Sequence, residues 1–210
     1  MPTLEILRRG KPITQASQAF ILLHGRGGTA RDILGLAEAL CDDQFYIVAP
    51  QAPHHVWYPQ SFLAEERCNE PYLSASVTGI KNLIDETAKH IPKERMYIMG
   101  FSQGACMALE VAARFATKYA AVIAFTGALI GSNIDERKYK GNFEGTKIFM
   151  SNGDHDPHVP LERSEQSKKV LEKLGADVTL KVYEGRSHTI TDDEINWVKQ
   201  NIMNHYPSIE

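Results

Sequence analysis

The stretch Arg95-Met96-Tyr97-Ile98-Met99-Gly100-Phe101-Ser102-Gln103-Gly104-Ala105-Cys106-Met107-Ala108-Leu109-Glu110-Val111-Ala112-Ala113-Arg114-Phe115 decides the fold. Residues 95–99 are a short apolar-rich run behind Pro92, the pattern of a buried strand. Residues 105–115 are helix formers, small near the start, so their helix can lie close against a sheet. Between them, Gly100-Phe101-Ser102-Gln103-Gly104 matches G-x-S-x-G, a serine on a sharp strand-to-helix turn. A side chain held in so tight a turn takes a strained backbone conformation, and glycines on both sides let neighbouring chain approach. The helix N-terminus directs positive potential and free N–H groups at any oxyanion forming beside Ser102.

Working outward, further strands alternate with helices. Ala19-Phe20-Ile21-Leu22-Leu23 is a continuous apolar run, as in a strand covered on both faces, and ends in the loop His24-Gly25-Arg26-Gly27-Gly28. Thr29 and Asp32 form a capping-box pattern for a helix to about Cys41. A strand over residues 44–49 is expected to stop at Pro50, and residues 50–70 to form an ordered loop. A helix from about Pro71 to His90 leads back to the elbow strand. Strands are expected over 119–125, 146–150 and 178–183, with a helix over 161–174 closed by Gly175. Thr191 and Glu194 cap a last helix running to about His205, and residues 4–9 form a short edge strand. The alternation predicts a mainly parallel sheet with helices on both faces. Ligands bind such sheets at the carboxyl ends of the strands, where every glycine- or histidine-bearing loop named here falls.

The length of 210 residues fits one domain over 1–210. A net charge of −3 without a basic cluster argues against a nucleic-acid or anionic-membrane surface. Residues 1–5 lack the charged and apolar regions of a signal peptide, and no apolar run is long enough to span a bilayer. The odd, sparse set Cys41, Cys68 and Cys106 fits reduced thiols, so the expectation is a cytoplasmic protein with no stable membrane insertion.

Ser102 needs a base to attack a carbonyl, and the base needs an orienting acid. His188, in Glu184-Gly185-Arg186-Ser187-His188, is the one histidine in a glycine loop beyond the last strand. Asp154 and Asp156 both follow the preceding strand and compete for the acid role, Pro157 fixing the chain just after Asp156. The order serine, aspartate, histidine is that of α/β-hydrolases. The N–H of Gln103, next after the serine, and that of Arg26 are the candidate oxyanion hole, although the His24–Gly28 loop also reads as a plain tight turn. His24 is expected to hold that loop by hydrogen bonding. Trp57 and Tyr58 either wall a substrate pocket or pack to pin a long loop. His54, His55, His155 and His158 lack the spacing of a recognised zinc motif, so no metal is expected; Cys106 reads as a core residue.

Four segments together resemble the phospholipase/carboxylesterase group of small α/β-hydrolases, which includes acyl-protein thioesterases. They are His24–Gly28, Gly100–Gly104, Gly153-Asp154-His155-Asp156-Pro157-His158-Val159-Pro160 and Gly185–His188, and the resemblance covers nearly the whole chain. It implies an α/β-hydrolase fold, a triad of Ser102, Asp156 and His188, and an oxyanion hole from Arg26 and Gln103, while the chain itself leaves little room for a substantial lid. The resemblance also implies a small-molecule ester or thioester substrate, no cofactor, and the homodimer common among members. Ala105 stands where many members carry another glycine, and Arg26 where the residue is commonly apolar or small. A lactonase like dienelactone hydrolase shares fold and size but uses a cysteine where Ser102 stands. A non-catalytic ligand-binding module is the reading from outside enzymes.

Overall fold

The computed structural model describes residues 4–42 and 44–203. Its strands are β1 (Glu5–Gly10), β2 (Gln18–Leu23), β3 (Phe45–Gln51), β4 (Met96–Phe101), β5 (Ala121–Phe125), β6 (Lys147–Gly153) and β7 (Asp177–Tyr183). Its helices are α1 (Ala30–Leu40), α2 (Tyr72–Ala88), α3 (Gln103–Arg114), α4 (Leu161–Lys173) and α5 (Asp192–Asn201). Among the described residues the strands form one sheet in the order β1-β3-β2-β4-β5-β6-β7. Only β1 runs antiparallel to its neighbour. This is the α/β-hydrolase arrangement that the resemblance implies.

The strand order explains where the helices lie. From β2 the chain steps through α1 toward one edge, then returns past β2 through α2 to β4 and continues the other way. Right-handed crossovers in opposite directions put helices on opposite faces. Thus α1 and α5 pack on one face with Phe20, Leu22, Tyr97 and Met99, while α2, α3 and α4 pack on the other with Ile21, Leu23 and Ile98. The alternation within a continuous apolar run is what a sheet buried on both faces requires. The direction reverses between β2 and β4, so the loops leaving these neighbours diverge there and open a crevice. Residues 103–113 of α3 are buried all round, and their alanines let the helix sit close on β4, β5 and β2.

Local expectations hold with few changes. In α1 the Asp32 N–H donates to Thr29 Oγ1 at 3.1 Å and the Thr29 N–H to Asp32 Oδ2 at 2.8 Å, closing the capping box. Strand β3 does not stop at Pro50 but runs on to Gln51, pairing Pro50 with Ile6. Its pairing with β2 has ended at Val48, so Pro50 sits where one flank is vacant and a missing N–H is tolerated. The last helix ends at Asn201, short of the expected His205; residues 204–210 lie outside those described. The segment from 52 to 71 carries short turns of helix at Pro53–His55 and Glu66–Asn69. Among the described residues, no helix is long and apolar enough to cross a membrane.

One feature the alternation cannot show is an ionic network beneath the 126–146 connection. Glu110 on α3 is fully buried, with Oε1 2.8 Å from both Arg114 Nε and Lys138 Nζ. Its Oε2 accepts from the Ile130 N–H at 3.0 Å and the Tyr139 hydroxyl at 3.1 Å. Glu66 completes the group through Arg114 and Lys138. Burial opposes its ionisation, but these two cations hold its carboxyl below the ordinary range. Removing one member of a buried ionic group leaves the others uncompensated. Glu110→Gln should therefore destabilise the protein by about 3 kcal/mol, read as a lowered urea midpoint.

Candidate active site

Ser102 sits at the turn from β4 into α3 with φ 53° and ψ −118°, a region a residue with a Cβ rarely enters. The surroundings enforce it. A Cβ on Gly100 would lie 2.2 Å from the Gly104 carbonyl, and one on Gly104 would lie 2.0 Å from the Leu23 oxygen. Both glycines are therefore needed for β4, α3 and the end of β2 to meet. The Ser102 N–H donates to the Phe125 carbonyl at the end of β5 at 3.0 Å, and its own carbonyl accepts from Cys106 at 3.0 Å. With the backbone held at both ends, the side chain stands clear of the sheet.

Asp156 and His188 reach the same edge from the loops after β6 and β7. His188 Nε2 is 2.8 Å from Ser102 Oγ, and His188 Nδ1 is 2.8 Å from Asp156 Oδ2. A carboxylate accepts only, so Nδ1 carries the proton and Nε2 turns its lone pair to the serine hydroxyl. Asp156 Oδ1 accepts from the N–H groups of His158 (2.8 Å) and Val159 (2.9 Å). Burial disfavours its charge, but these bonds and His188 outweigh it and hold its carboxyl below the usual range. The competing Asp154 turns away: its Oδ1 accepts from the Gly185 N–H at 2.9 Å and so ties down the loop that carries His188.

A further residue, Arg186, holds that histidine, and sequence reasoning missed it. The buried guanidinium of Arg186 donates to Thr126 Oγ1 at 2.8 Å and to the carbonyls of Ser187 and Thr189, clamping the chain on both sides of His188. The imidazole lies between Phe101 and His158, with ring centroids 5.3 and 4.7 Å away. The available signal was a charged residue two positions before the histidine, an unusual choice unless its charge is used locally.

The glycine loop after β2 lies beside the serine. His24 is buried, its Nδ1 2.7 Å from the Gly25 carbonyl, and its Nε2 accepts from the Ala52 N–H at 3.1 Å. Burial lowers its pKa, the neutral ring fits these partners, and it holds the loop as expected. The N–H groups of Arg26 and Gln103 enter no backbone hydrogen bond among the described residues.

Beside the serine lies a cavity of about 460 Å³, walled by Tyr58, Phe62, Cys106, Val159 and His158, with Arg26 at its margin. Of the two aromatic candidates, Tyr58 lines the cavity and Trp57 does not. Trp57 is fully buried, its indole N–H satisfied by the His24 carbonyl at 2.8 Å. Burial pushes the Cys106 thiol up to about 11, so at neutral pH it is a neutral wall residue. Arg26 turns its guanidinium onto the carbonyls of Tyr58, Pro59 and Gln60. His55 Nδ1 lies 3.0 Å from the Gly28 carbonyl, and His155 lies beside Asp154 on the outside of the loop.

A family model described as phospholipase/carboxylesterase matches residues 10–206. Acyl-protein thioesterase 1 of Eremothecium gossypii is 28% identical, over 98% of this chain and 95% of its own length. The protein of that name from Candida albicans is 29% identical over 91% and 93%. The crystal structure of a phospholipase/carboxylesterase from Dyadobacter fermentans superposes with a TM-score of 0.94 at 44% identity, covering 97% of this chain and 99% of that one.

The lowered pKa of Asp156 sets a pH dependence of defined sign. Its ionised form is stabilised in the folded protein, so this stability is complete above the ordinary aspartate value of about 3.9 and is lost as pH falls through the lower folded pKa. Asp156→Asn lacks the contribution at every pH. The wild-type advantage in thermal midpoint over Asp156→Asn should therefore be largest near neutrality and shrink below about pH 4.

Proposed function

The chain belongs to the phospholipase/carboxylesterase family, an ester-bond hydrolase, and from that premise we propose that it works through an acyl-enzyme on Ser102. The observation that carries the reading is the unbroken chain of 2.8 Å contacts from Asp156 through His188 to Ser102, at a serine held on a strained turn. Ser102 Oγ attacks the carbonyl carbon of an ester or thioester while His188 Nε2 takes the hydroxyl proton. Asp156 keeps the imidazole in the tautomer that accepts this proton and stabilises the imidazolium that results. The tetrahedral oxyanion lies against the N–H groups of Arg26 and Gln103, at the positive end of α3. Collapse breaks the bond to the leaving alkoxide or thiolate, which departs with the proton from His188. Water then loses a proton to His188 and attacks the acyl carbonyl; the carboxylic acid leaves and Ser102 regains its hydrogen.

In this reading the acyl or alcohol portion lies against Tyr58, Phe62, Cys106 and Val159, the apolar part of a lining that also carries Gln60, Ser61 and His158, which suits a small neutral substituent. Acyl-protein thioesterases among the relatives support thioesters beside oxygen esters. The elbow carries Ser102 where a lactonase of the dienelactone type carries its cysteine, and Cys106 nearby is buried and held as a thiol.

Incubation with a fluorophosphonate should add one adduct mass to the wild-type protein and none to Ser102→Ala. The same substitution should lower turnover of p-nitrophenyl acetate about 10⁴- to 10⁶-fold with the fold intact by circular dichroism. A folded wild type without an adduct, or Ser102→Ala with most of its activity, overturns the reading.

A further inference from the structure

Arg26 and Gln103 lie on different elements, the loop after β2 and the first position of α3, yet both send side chains to the same short stretch, residues 57–60. The Arg26 guanidinium donates to the carbonyls of Tyr58 (2.9 Å), Pro59 (2.9 Å) and Gln60 (2.7 Å). The Gln103 side chain accepts from the Trp57 N–H at 2.9 Å and donates to the Tyr58 carbonyl at 2.8 Å. One oxygen, that of Tyr58, thus takes a hydrogen bond from each residue. The stretch is itself anchored. The Trp57 indole N–H holds the His24 carbonyl, two residues before Arg26, and the Ser76 hydroxyl on α2 donates to the Trp57 carbonyl at 2.7 Å.

We propose that residues 57–60 form a brace across the active site, and that the side chains of Arg26 and Gln103 are positioning groups that fix the spacing and direction of their own backbone N–H groups. The inference rests on the oxyanion hole of the proposed function and adds what holds it. Arg26 lies between Gly25 and the pair Gly27-Gly28, where the backbone has few intrinsic restraints, and its amide has no backbone partner. Oxyanion donors lower a barrier only if they need not reorganise when charge develops. A misplacement of about 1 Å can cost about 10²-fold in rate. An exposed arginine that turns three N–H bonds onto neutral carbonyls fixes a loop more than it presents a charge. The planar fork suits the task, because a single ammonium cannot span three carbonyls in the same geometry. The same stretch leads into the cavity wall at Tyr58 and Phe62, so the wall and the donors share one backbone support.

The test uses Arg26→Ala, Arg26→Lys, Gln103→Ala and the Arg26→Ala/Gln103→Ala pair, none of which removes a backbone N–H. The substrate is p-nitrophenyl acetate, neutral and short, and the inhibitor is an aryl trifluoromethyl ketone that forms an oxyanion on the serine. Each single variant should lose about 10- to 10²-fold in kcat with KM within about 2-fold of wild type. Inhibitor affinity should fall by the same factor as kcat/KM. Arg26→Lys should behave like Arg26→Ala, and the double variant should lose less than the product of the singles, since both act through one stretch. A raised KM at unchanged kcat, wild-type kcat in Arg26→Lys, or inhibitor affinity that does not follow kcat/KM overturns the inference. Should Gln103→Ala fail to fold, the exposed Arg26 variants decide alone. Wild type that forms no fluorophosphonate adduct at Ser102 overturns the triad reading beneath. With that adduct present, Arg26→Ala at wild-type kcat and inhibitor affinity overturns the brace alone.

Discussion

The structure depends on a steric constraint at the crossing of β2, β4 and α3. Ser102 occupies a positive-φ conformation because β4 must turn into α3 within a single residue. That turn is possible only if Gly100 and Gly104 leave their Cβ positions to the Gly104 carbonyl and the Leu23 oxygen. The strain is offset by the packing of α3, buried on every side against three strands. The result is a hydroxyl raised above the sheet edge at the start of a helix, where free N–H groups and the helix dipole converge. The reversal of direction between β2 and β4 opens the crevice at the same place.

Around that point the chain supplies rigid support at each remove. The Asp156 carboxylate is fixed by two backbone N–H groups before it meets His188. The loop of His188 is in turn fixed by Asp154 on the outside and by Arg186 within. Charges that serve no chemistry therefore have a defined purpose. A guanidinium bonds several carbonyls at once and stays charged at any working pH, so it can staple irregular backbone that lacks sheet partners. Arg163 does the same for the carbonyls of Leu129, Gly131 and Ser132. The buried group around Glu110 holds the connection between β5 and β6 through the Ile130 N–H and Lys138.

The segment from 52 to 71 shows how a long connection can be ordered without forming a lid. Trp57 is buried, with backbone and side-chain bonds to Gln103, Ser76 and His24. The Gln60 N–H and the Ser61 carbonyl bond the buried Asn69 at 2.7 and 3.0 Å. Such a segment presents a fixed wall to the pocket.

Much of this is legible in the sequence because it is encoded at short range. The alternation of apolar runs with helical segments, the two capping boxes and the glycines of the elbow each depend on neighbours within a few positions. Ser102 and His188 could be singled out because each follows a strand in a glycine-bearing turn. Asp154 and Asp156 could not be separated on such grounds, since both follow the same strand and differ only in which backbone N–H groups they meet. Likewise Trp57 and Tyr58 are adjacent and chemically alike, and only the folded chain buries one beneath the loop and turns the other to the cavity. The direction of the Arg26 side chain, the grip of Arg186 on its loop and the passage of β3 through Pro50 belong to the same class. The sequence by itself determined the elements, their order and the serine at the turn, because local sterics and periodicity are properties of contiguous residues. The tertiary structure alone decided which polar groups meet, because partners 30 or more positions apart are brought together by sheet register and crossover direction.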